Sequence, residues 1–129
     1  MSGSYRDLKV WQKSMELTLE VYRLTRRFPS EETYGLTNQM RRAAVSIASN
    51  IAEGKGRSTD RDFVLFLCHA RGSLRELETQ AIVAQQLGYL QPPIAEKFET
   101  LTTETAKTLN GLIRSMRAAI ERRHLETAI

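Results

Sequence analysis

The segment from Gln39 to Gly54, QMRRAAVSIASNIAEG, carries two stripes of residues at helical spacing. The first stripe is apolar and recurs every three or four residues, which predicts one buried face of an α-helix: Leu36, Met40, Ala43, Ile47 and Ile51. The second stripe is polar and lies on an adjacent face: Gln39, Arg42, Ser46, Asn50 and Glu53. Serine and asparagine are poor residues for a helix interior. A stripe that includes them predicts a surface that contacts another helix or another subunit.

Length and composition favour one all-α domain spanning residues 1–129, with an ordered core over about 5–124 and loose ends, residues 1–4 among them. The chain has 129 residues, of which 41% are hydrophobic, and no segment alternates apolar and polar residues as a strand would. The single cysteine, Cys68, excludes an internal disulfide. We find neither a signal-peptide core nor the roughly 20 apolar residues that would span a membrane. We therefore expect a cytoplasmic protein without a membrane partner.

The apolar periodicity predicts four helices, at about 7–28, 32–53, 59–87 and 92–123. Pro29 ends the first helix, because proline disfavours the α conformation in the residue before it. Gly54 is expected as the C-cap of the second helix, with the connecting loop over residues 54–58. Ser58 or Thr59 is expected to cap the third. Long amphipathic helices with short loops predict an up-down-up-down antiparallel four-helix bundle.

The third helix carries a polar stripe of its own, His69, Ser73, Glu76 and Gln80. An antiparallel hairpin about the 54–58 loop would place Arg42 near Glu76 and Gln39 near Ser73. The two stripes would then form one polar ribbon, which we predict to be a subunit or helix–helix interface. Gly72, inside the same helix, predicts close approach by another helix, since glycine there costs about 1 kcal/mol relative to alanine. The alternative is a solvated face whose ion pairs contribute under about 1 kcal/mol each.

No constellation of catalytic or metal-binding residues emerges from the sequence. Neighbours on a helix point about 100° apart, so Cys68 and His69 cannot form an activated nucleophile pair, and Cys68 is expected in the core. Glu121-x-x-His124 has the spacing of one half of a carboxylate metal site, but two such motifs are required. The loop GKGRS at 54–58 lacks the first glycine and the preceding strand of a phosphate loop. We therefore predict neither an enzyme nor a metal, cofactor or small-molecule substrate.

Basic residues concentrate at one end of the predicted bundle, although the formal net charge is only +4. The up-down order brings the chain start, the 54–61 loop and the chain end together. The candidate residues for binding RNA or DNA at this end are Lys55, Arg57, Arg61, Arg117, Arg122 and Arg123. The alternative is that helix C-termini simply favour basic residues, and acidic neighbours offset part of the charge.

The same segments resemble a family of four-helix-bundle proteins first noticed as products of intervening sequences in bacterial 23S ribosomal RNA genes. The resemblance rests on LKVWQKSMEL at 8–17, FPSEE at 28–32, YGLTNQMRRAAVSIASNIAEG at 34–54, ARGSLRELETQ at 70–80 and LGYL at 87–90. Ala48 departs from the family, which usually has proline at this position. The accessory proteins of diversity-generating retroelements, which bind nucleic acid and a reverse transcriptase, are distantly similar.

The resemblance implies a bundle that assembles into a ring of five subunits, without known enzymatic activity. The association with ribosomal RNA genes favours nucleic-acid or nucleoprotein binding. We therefore expect a non-enzymatic homo-oligomer, a pentamer, that binds RNA or DNA. The alternative is a protein–protein scaffold or assembly module without nucleic-acid binding.

Overall fold

The computed structural model describes residues 3–128 and folds them into four α-helices that run alternately up and down. The helices are α1 (Lys9–Thr25), α2 (Leu36–Lys55), α3 (Asp60–Gln86) and α4 (Pro92–Thr127). Within this described part of the chain there is no strand. The predicted all-α four-helix bundle is confirmed. The predicted loose ends include residues 1, 2 and 129, which lie outside the described residues.

The first helix is shorter than the predicted range of 7–28 at both ends: a separate 3-10 helix at Tyr5–Asp7 precedes it, and it ends at Thr25, three residues early. Ser4, expected to be loose, caps this short helix. Its hydroxyl accepts from the backbone N–H of Arg6 at 3.1 Å, and its own N–H donates to an Asp7 carboxylate oxygen at 3.3 Å. This reciprocal pairing satisfies donors that a helix start leaves without partners.

The second helix begins later and ends later than predicted, and Gly54 is not its C-cap. Gly54 is buried in the last turn of α2. A Cβ atom there would lie 2.6 Å from the Cβ of Phe66 and 3.1 Å from Cδ1 of Phe63. Glycine is therefore required by the close approach of α2 and α3, and Gly56 takes the C-cap position with φ −83°.

The third helix begins as predicted, with the Thr59 hydroxyl accepting from the backbone N–H of Asp62 at 3.1 Å. After α3 ends, Gly88 adopts φ +83°, a left-handed conformation that favours glycine. Proline occupies the first turn of α4, where its missing N–H costs nothing. With 36 residues, α4 is about 54 Å long at 1.5 Å per residue and extends four residues beyond the predicted end.

The hydrophobic core runs between the four helices and contains most of the residues in the predicted apolar stripes. Fully buried members include Leu17, Met40, Ile47, Ile51, Leu67, Leu74, Leu77, Leu109 and Ile113. Cys68, expected in the core, is only half-buried, and Ile94 is 39% exposed in the first turn of α4. Among the described residues, no helix combines the length and hydropathy of a membrane-spanning segment.

Candidate nucleic-acid and subunit interfaces

Three residues of the predicted polar ribbon form a hydrogen-bonded cluster between α2 and α3. The hydroxyl oxygens of Ser46 and Ser73 lie 2.9 Å apart, on the two facing helices. The Asn50 side-chain amide donates to the Ser46 carbonyl at 2.8 Å and to its hydroxyl at 3.1 Å. Serine and asparagine are tolerated inside these helices because each finds a partner there. The cluster is a contact between α2 and α3, and a subunit interface at these residues stays a prediction.

The register of α2 against α3 agrees with one of the two predicted pairs. Ser73 faces Ser46 and not Gln39, and this register places Arg42 within about one residue of the level of Glu76. Because α2 continues two residues beyond Glu53, the turn that joins the helices moves to residues 56–59. Arg42 and Glu76 are both exposed, and no ion pair joins them among the described residues.

The remaining members of the ribbon do not join the serine cluster. The Glu53 carboxylate pairs with Arg57, four residues later, at 2.9 Å. His69 is exposed and meets the Phe66 ring edge-on, with 5.7 Å between ring centroids. The side-chain oxygen of Gln80 is buried and accepts no hydrogen bond within the described residues. Gln39 is exposed.

The outer face of α3 carries apolar residues that the polar stripe did not predict. Leu65 is 52% exposed and Val83 is 43% exposed. Gly72 lies between them, at spacings of seven and eleven residues that return to one face of a helix. A Cβ atom at Gly72 would meet no atom within 4 Å. No helix within the described part of this chain packs closely against Gly72, and an approach by a helix of another subunit stays a prediction.

The six predicted nucleic-acid-binding residues do gather at the end of the bundle where α2 ends and α3 begins, but two are already paired. Arg57 is paired with Glu53, and Arg123 contacts Asp60 across the α3–α4 interface. Arg57 also lies over the Phe66 ring at 4.6 Å, and the Lys55 ammonium lies 5.9 Å from the centre of the Phe63 ring. The other three are exposed and belong to none of the ion pairs in the described residues: Arg61, Arg117 and Arg122.

An arginine that the sequence reasoning missed lies beside one of these residues. The Arg71 guanidinium donates to the Asn110 side-chain oxygen at 3.2 Å and lies 3.7 Å from the Cys68 sulfur. The Arg117 guanidinium approaches the same sulfur from α4, at 3.5 Å. Two cations from facing helices therefore converge on one half-buried thiol. The available signal was the position of Arg71 and Arg75 one turn apart on α3, beside its core stripe.

Among residues 3–128, no group of three or more histidine, cysteine, aspartate or glutamate side chains is placed to hold a metal ion. Glu121 and His124, which have the spacing of half a carboxylate site, are both exposed near the end of α4. An open groove of about 380 Å³ lies between α3 and α4 at the opposite end of the bundle, and Leu90 and Phe98 contribute its apolar lining.

Comparison with known proteins identifies a family and a fold. The profile of the 23S rRNA-intervening sequence protein family matches residues 6–111. A crystal structure of a protein of unknown function from the S23 ribosomal protein family of Bacteroides thetaiotaomicron is similar at a TM-score of 0.75 and 24% identity. That similarity covers 81% of this chain and 95% of the other. No curated protein gives a significant match.

Proposed function

This chain belongs to the 23S rRNA-intervening sequence protein family, and we propose that it is a non-enzymatic, cytoplasmic homo-oligomer that binds nucleic acid. The observation that carries the proposal is the set of exposed arginines at one end of the bundle, Arg61, Arg117 and Arg122, which form no ion pair among the described residues. Guanidinium groups match the geometry of phosphate oxygens. The name of the family refers to an intervening sequence of ribosomal RNA, so structured RNA is the first ligand to test.

Self-association is supported by the outer face of α3. Leu65 and Val83 expose apolar surface at two points of this face, about 27 Å apart at 1.5 Å per residue, and Gly72 between them leaves open space where a side chain would lie. A glycine on an exposed helix face allows a second backbone to approach closely. A heterologous contact whose rotation closes would give a ring, and five subunits is the number that the family resemblance implies. Such a ring would repeat the basic end of the bundle along one rim and strengthen its attraction for polyanions.

The proposal is tested by measuring binding of the purified protein to structured RNA, single-stranded DNA and duplex DNA at increasing salt concentrations. Phosphate contacts release counterions, so we expect affinity to fall steeply as salt rises. The triple substitution Lys55→Ser, Arg61→Ser and Arg122→Ser should weaken binding to all sequences and flatten the salt dependence.

A matched control removes one lysine and two arginines from the opposite end of the bundle: Arg26→Ser, Arg27→Ser and Lys97→Ser. All three residues are exposed and belong to none of the ion pairs in the described residues. Equal weakening by both triple variants would show that only net charge matters and would contradict a localised interface. Absence of binding by the unaltered protein at low salt would reject nucleic-acid binding.

The second candidate function is a protein–protein scaffold, which the apolar stripe on α3 favours independently of the basic end. A scaffold would form the same oligomer without affinity for RNA or DNA. Light scattering together with the binding assay separates the two functions. An oligomer that binds none of the three nucleic acids at low salt would support the scaffold.

A further inference from the structure

The two guanidinium groups beside Cys68 form a cationic site that the sulfur does not neutralise. Arg71 on α3 and Arg117 on α4 both place a nitrogen within 3.7 Å of the same sulfur atom. A thiol is a weak hydrogen-bond acceptor without formal charge, so it offsets little of the repulsion between two cations. The ion pairs in the described residues include neither arginine.

Both side chains project from helices, and their neighbours limit how far they can move. Arg71 is half-buried, and its bond to Asn110 fixes one edge of the guanidinium against α4. Arg117 is exposed and reaches back across the interface to α3. Each guanidinium has five N–H donors, of which these contacts use only one or two. The unused donors are available to an anion that enters the groove between α3 and α4.

The cationic character continues from the pair toward the C-terminal end of α3. Arg75 lies one helical turn beyond Arg71 on α3, and Arg114, about one turn before Arg117 on the antiparallel α4, lies in the same direction. Both are exposed and belong to none of the ion pairs in the described residues. Glu121 lies one turn after Arg117 on α4, and Glu78 and Glu99 line the groove beside Arg75. A line of cations on two adjacent helices is suited to an extended polyanion rather than to a single small ion.

We propose that Arg71 and Arg117 bind phosphate groups of a nucleic-acid backbone that lies in the α3–α4 groove over Cys68. This inference rests on the proposed function and adds a second contact surface, continuous with the predicted end through Arg117. Guanidinium groups bind phosphate oxygens with two parallel hydrogen bonds where geometry allows. Bound phosphate would also remove the repulsion between the two cations.

Cys68 provides a direct probe of this site, because it is the single cysteine of the chain. The test measures the rate of Cys68 alkylation by iodoacetamide with and without a saturating structured RNA or DNA oligonucleotide. A backbone in the groove should slow alkylation several-fold, and high salt should restore the original rate. An unchanged rate, under conditions where binding is saturated, would overturn the inference while leaving the proposed function intact.

Affinity measurements on paired variants give an independent readout. Arg71→Gln with Arg117→Gln should lower affinity at least tenfold and reduce the slope of log affinity against log salt by about 1.4 to 1.8, the value for two lost phosphate contacts. Arg26→Gln with Arg27→Gln removes the same charge at the other end of the bundle and should leave the slope nearly unchanged. Arg71→Lys with Arg117→Lys keeps the charge and should bind more tightly than the glutamine pair.

The outcomes separate the two proposals. If the Arg71→Gln and Arg117→Gln pair binds as tightly as the unaltered protein while the Lys55, Arg61 and Arg122 variant is weakened, the groove is excluded and the end of the bundle is the binding surface. If the unaltered protein binds no nucleic acid at low salt, the proposed function is rejected and this inference with it. Circular dichroism of each variant shows whether the fold is retained.

Discussion

The phenol of Tyr89 donates a 2.9 Å hydrogen bond to the Glu32 carboxylate, joining the α1–α2 connection to the α3–α4 connection. The other oxygen of the same carboxylate accepts from the backbone N–H of Leu36 at 3.1 Å, at the start of α2. The Phe28 ring packs against Tyr89 with 5.3 Å between centroids. One carboxylate thus links three segments at the end of the bundle opposite the 56–59 turn. The FPSEE and LGYL motifs supply these residues.

Tyr89→Phe should lower the melting temperature by a few degrees, because it leaves one Glu32 oxygen without its donor. Glu32→Ala should lower it further, since that change also removes the acceptor for the Leu36 N–H. Tyr34→Phe is the matched control, because Tyr34 is 94% exposed and its hydroxyl has no partner in the described residues. Thermal unfolding monitored by circular dichroism measures the melting temperatures of the three variants. Equal melting temperatures for Tyr89→Phe and Tyr34→Phe would contradict the expected order.

The same contact predicts a pH dependence in the alkaline range. The hydrogen bond to Glu32 raises the pKa of Tyr89, and burial and the charges of Glu32 and Glu31 raise it further. Because the folded pKa is above the unfolded value of about 10, this contribution to stability is complete below pH 10. It is lost as the pH rises through the raised pKa.

Melting temperatures measured from pH 8 to pH 11.5 test this dependence. The unaltered protein should lose more stability above pH 10 than Tyr89→Phe, which has no phenol to ionise. The difference between the two proteins in tyrosinate absorbance should titrate above pH 10. Parallel stability curves for the two proteins would show that Tyr89 makes no contribution to the alkaline transition.

Two glycines on adjacent helices predict opposite effects of the same substitution. Gly54→Ala should destabilise the protein by about 1 to 3 kcal/mol, because the new Cβ would overlap Phe66 and force the helices apart. Gly72→Ala meets open space within the subunit and should stabilise α3 of the separate subunit by up to about 1 kcal/mol. Denaturant unfolding of both variants, at a concentration where the assembly state is known, measures the difference. Equal effects would contradict the packing at Gly54.

The serine cluster predicts energetic coupling between α2 and α3. Ser46→Ala should cost about 1 kcal/mol, because it leaves the Ser73 hydroxyl without its partner and removes one acceptor for Asn50. A double-mutant cycle of Ser46→Ala and Ser73→Ala should show that the two changes are not additive. Glu76→Ala, which breaks no hydrogen bond or ion pair in the described residues, should leave unfolding of the separate subunit unchanged. If the changes in unfolding free energy for Ser46→Ala and Ser73→Ala are additive, the two side chains are not energetically coupled.

The helices could be predicted from the sequence because their apolar residues recur with helical spacing and few prolines interrupt them. The ends were harder to predict: Gly54 has the residue type of a C-cap, but contact with Phe66 determines its role. That contact joins residues from two helices, so the residue pattern along one helix does not predict it. The pairing of Ser73 with Ser46 instead of Gln39 has the same origin, since it too is a contact between two helices.

The sequence predicts interface residues where an unusual residue type stands inside a helix, but it does not show contacts between helices. Ser46, Asn50 and Ser73 could be singled out because their residue types are unusual inside helices. Arg71 was missed because arginine is a good helix former and gives no such signal. Its pairing with Arg117 depends on how α3 and α4 meet. The partial neutralisation of the basic end likewise depends on a contact between distant residues, Asp60 and Arg123.

The outer face of α3 gives the most direct test of assembly. Leu65→Glu with Val83→Glu places two charges on the exposed apolar stripe without disturbing the core, since neither side chain is buried. If this stripe forms the subunit contact, two carboxylates in an apolar interface should carry a large desolvation cost and dissociate the oligomer. Light scattering should then change from a multiple of the subunit mass to a value near 14.7 kDa.

Leu19→Glu is the matched control, because Leu19 is as exposed as Leu65 but lies on the outer face of α1. It should leave the oligomer mass unchanged, whereas the α3 variant should yield folded single subunits with helical circular dichroism. Repeating the nucleic-acid assay on those subunits then asks whether assembly contributes to binding. A ring that repeats the basic end should bind more tightly than its separated subunits, because linked contacts act at high effective concentration. An α3 variant that retains the full oligomer mass would exclude this face as the subunit contact.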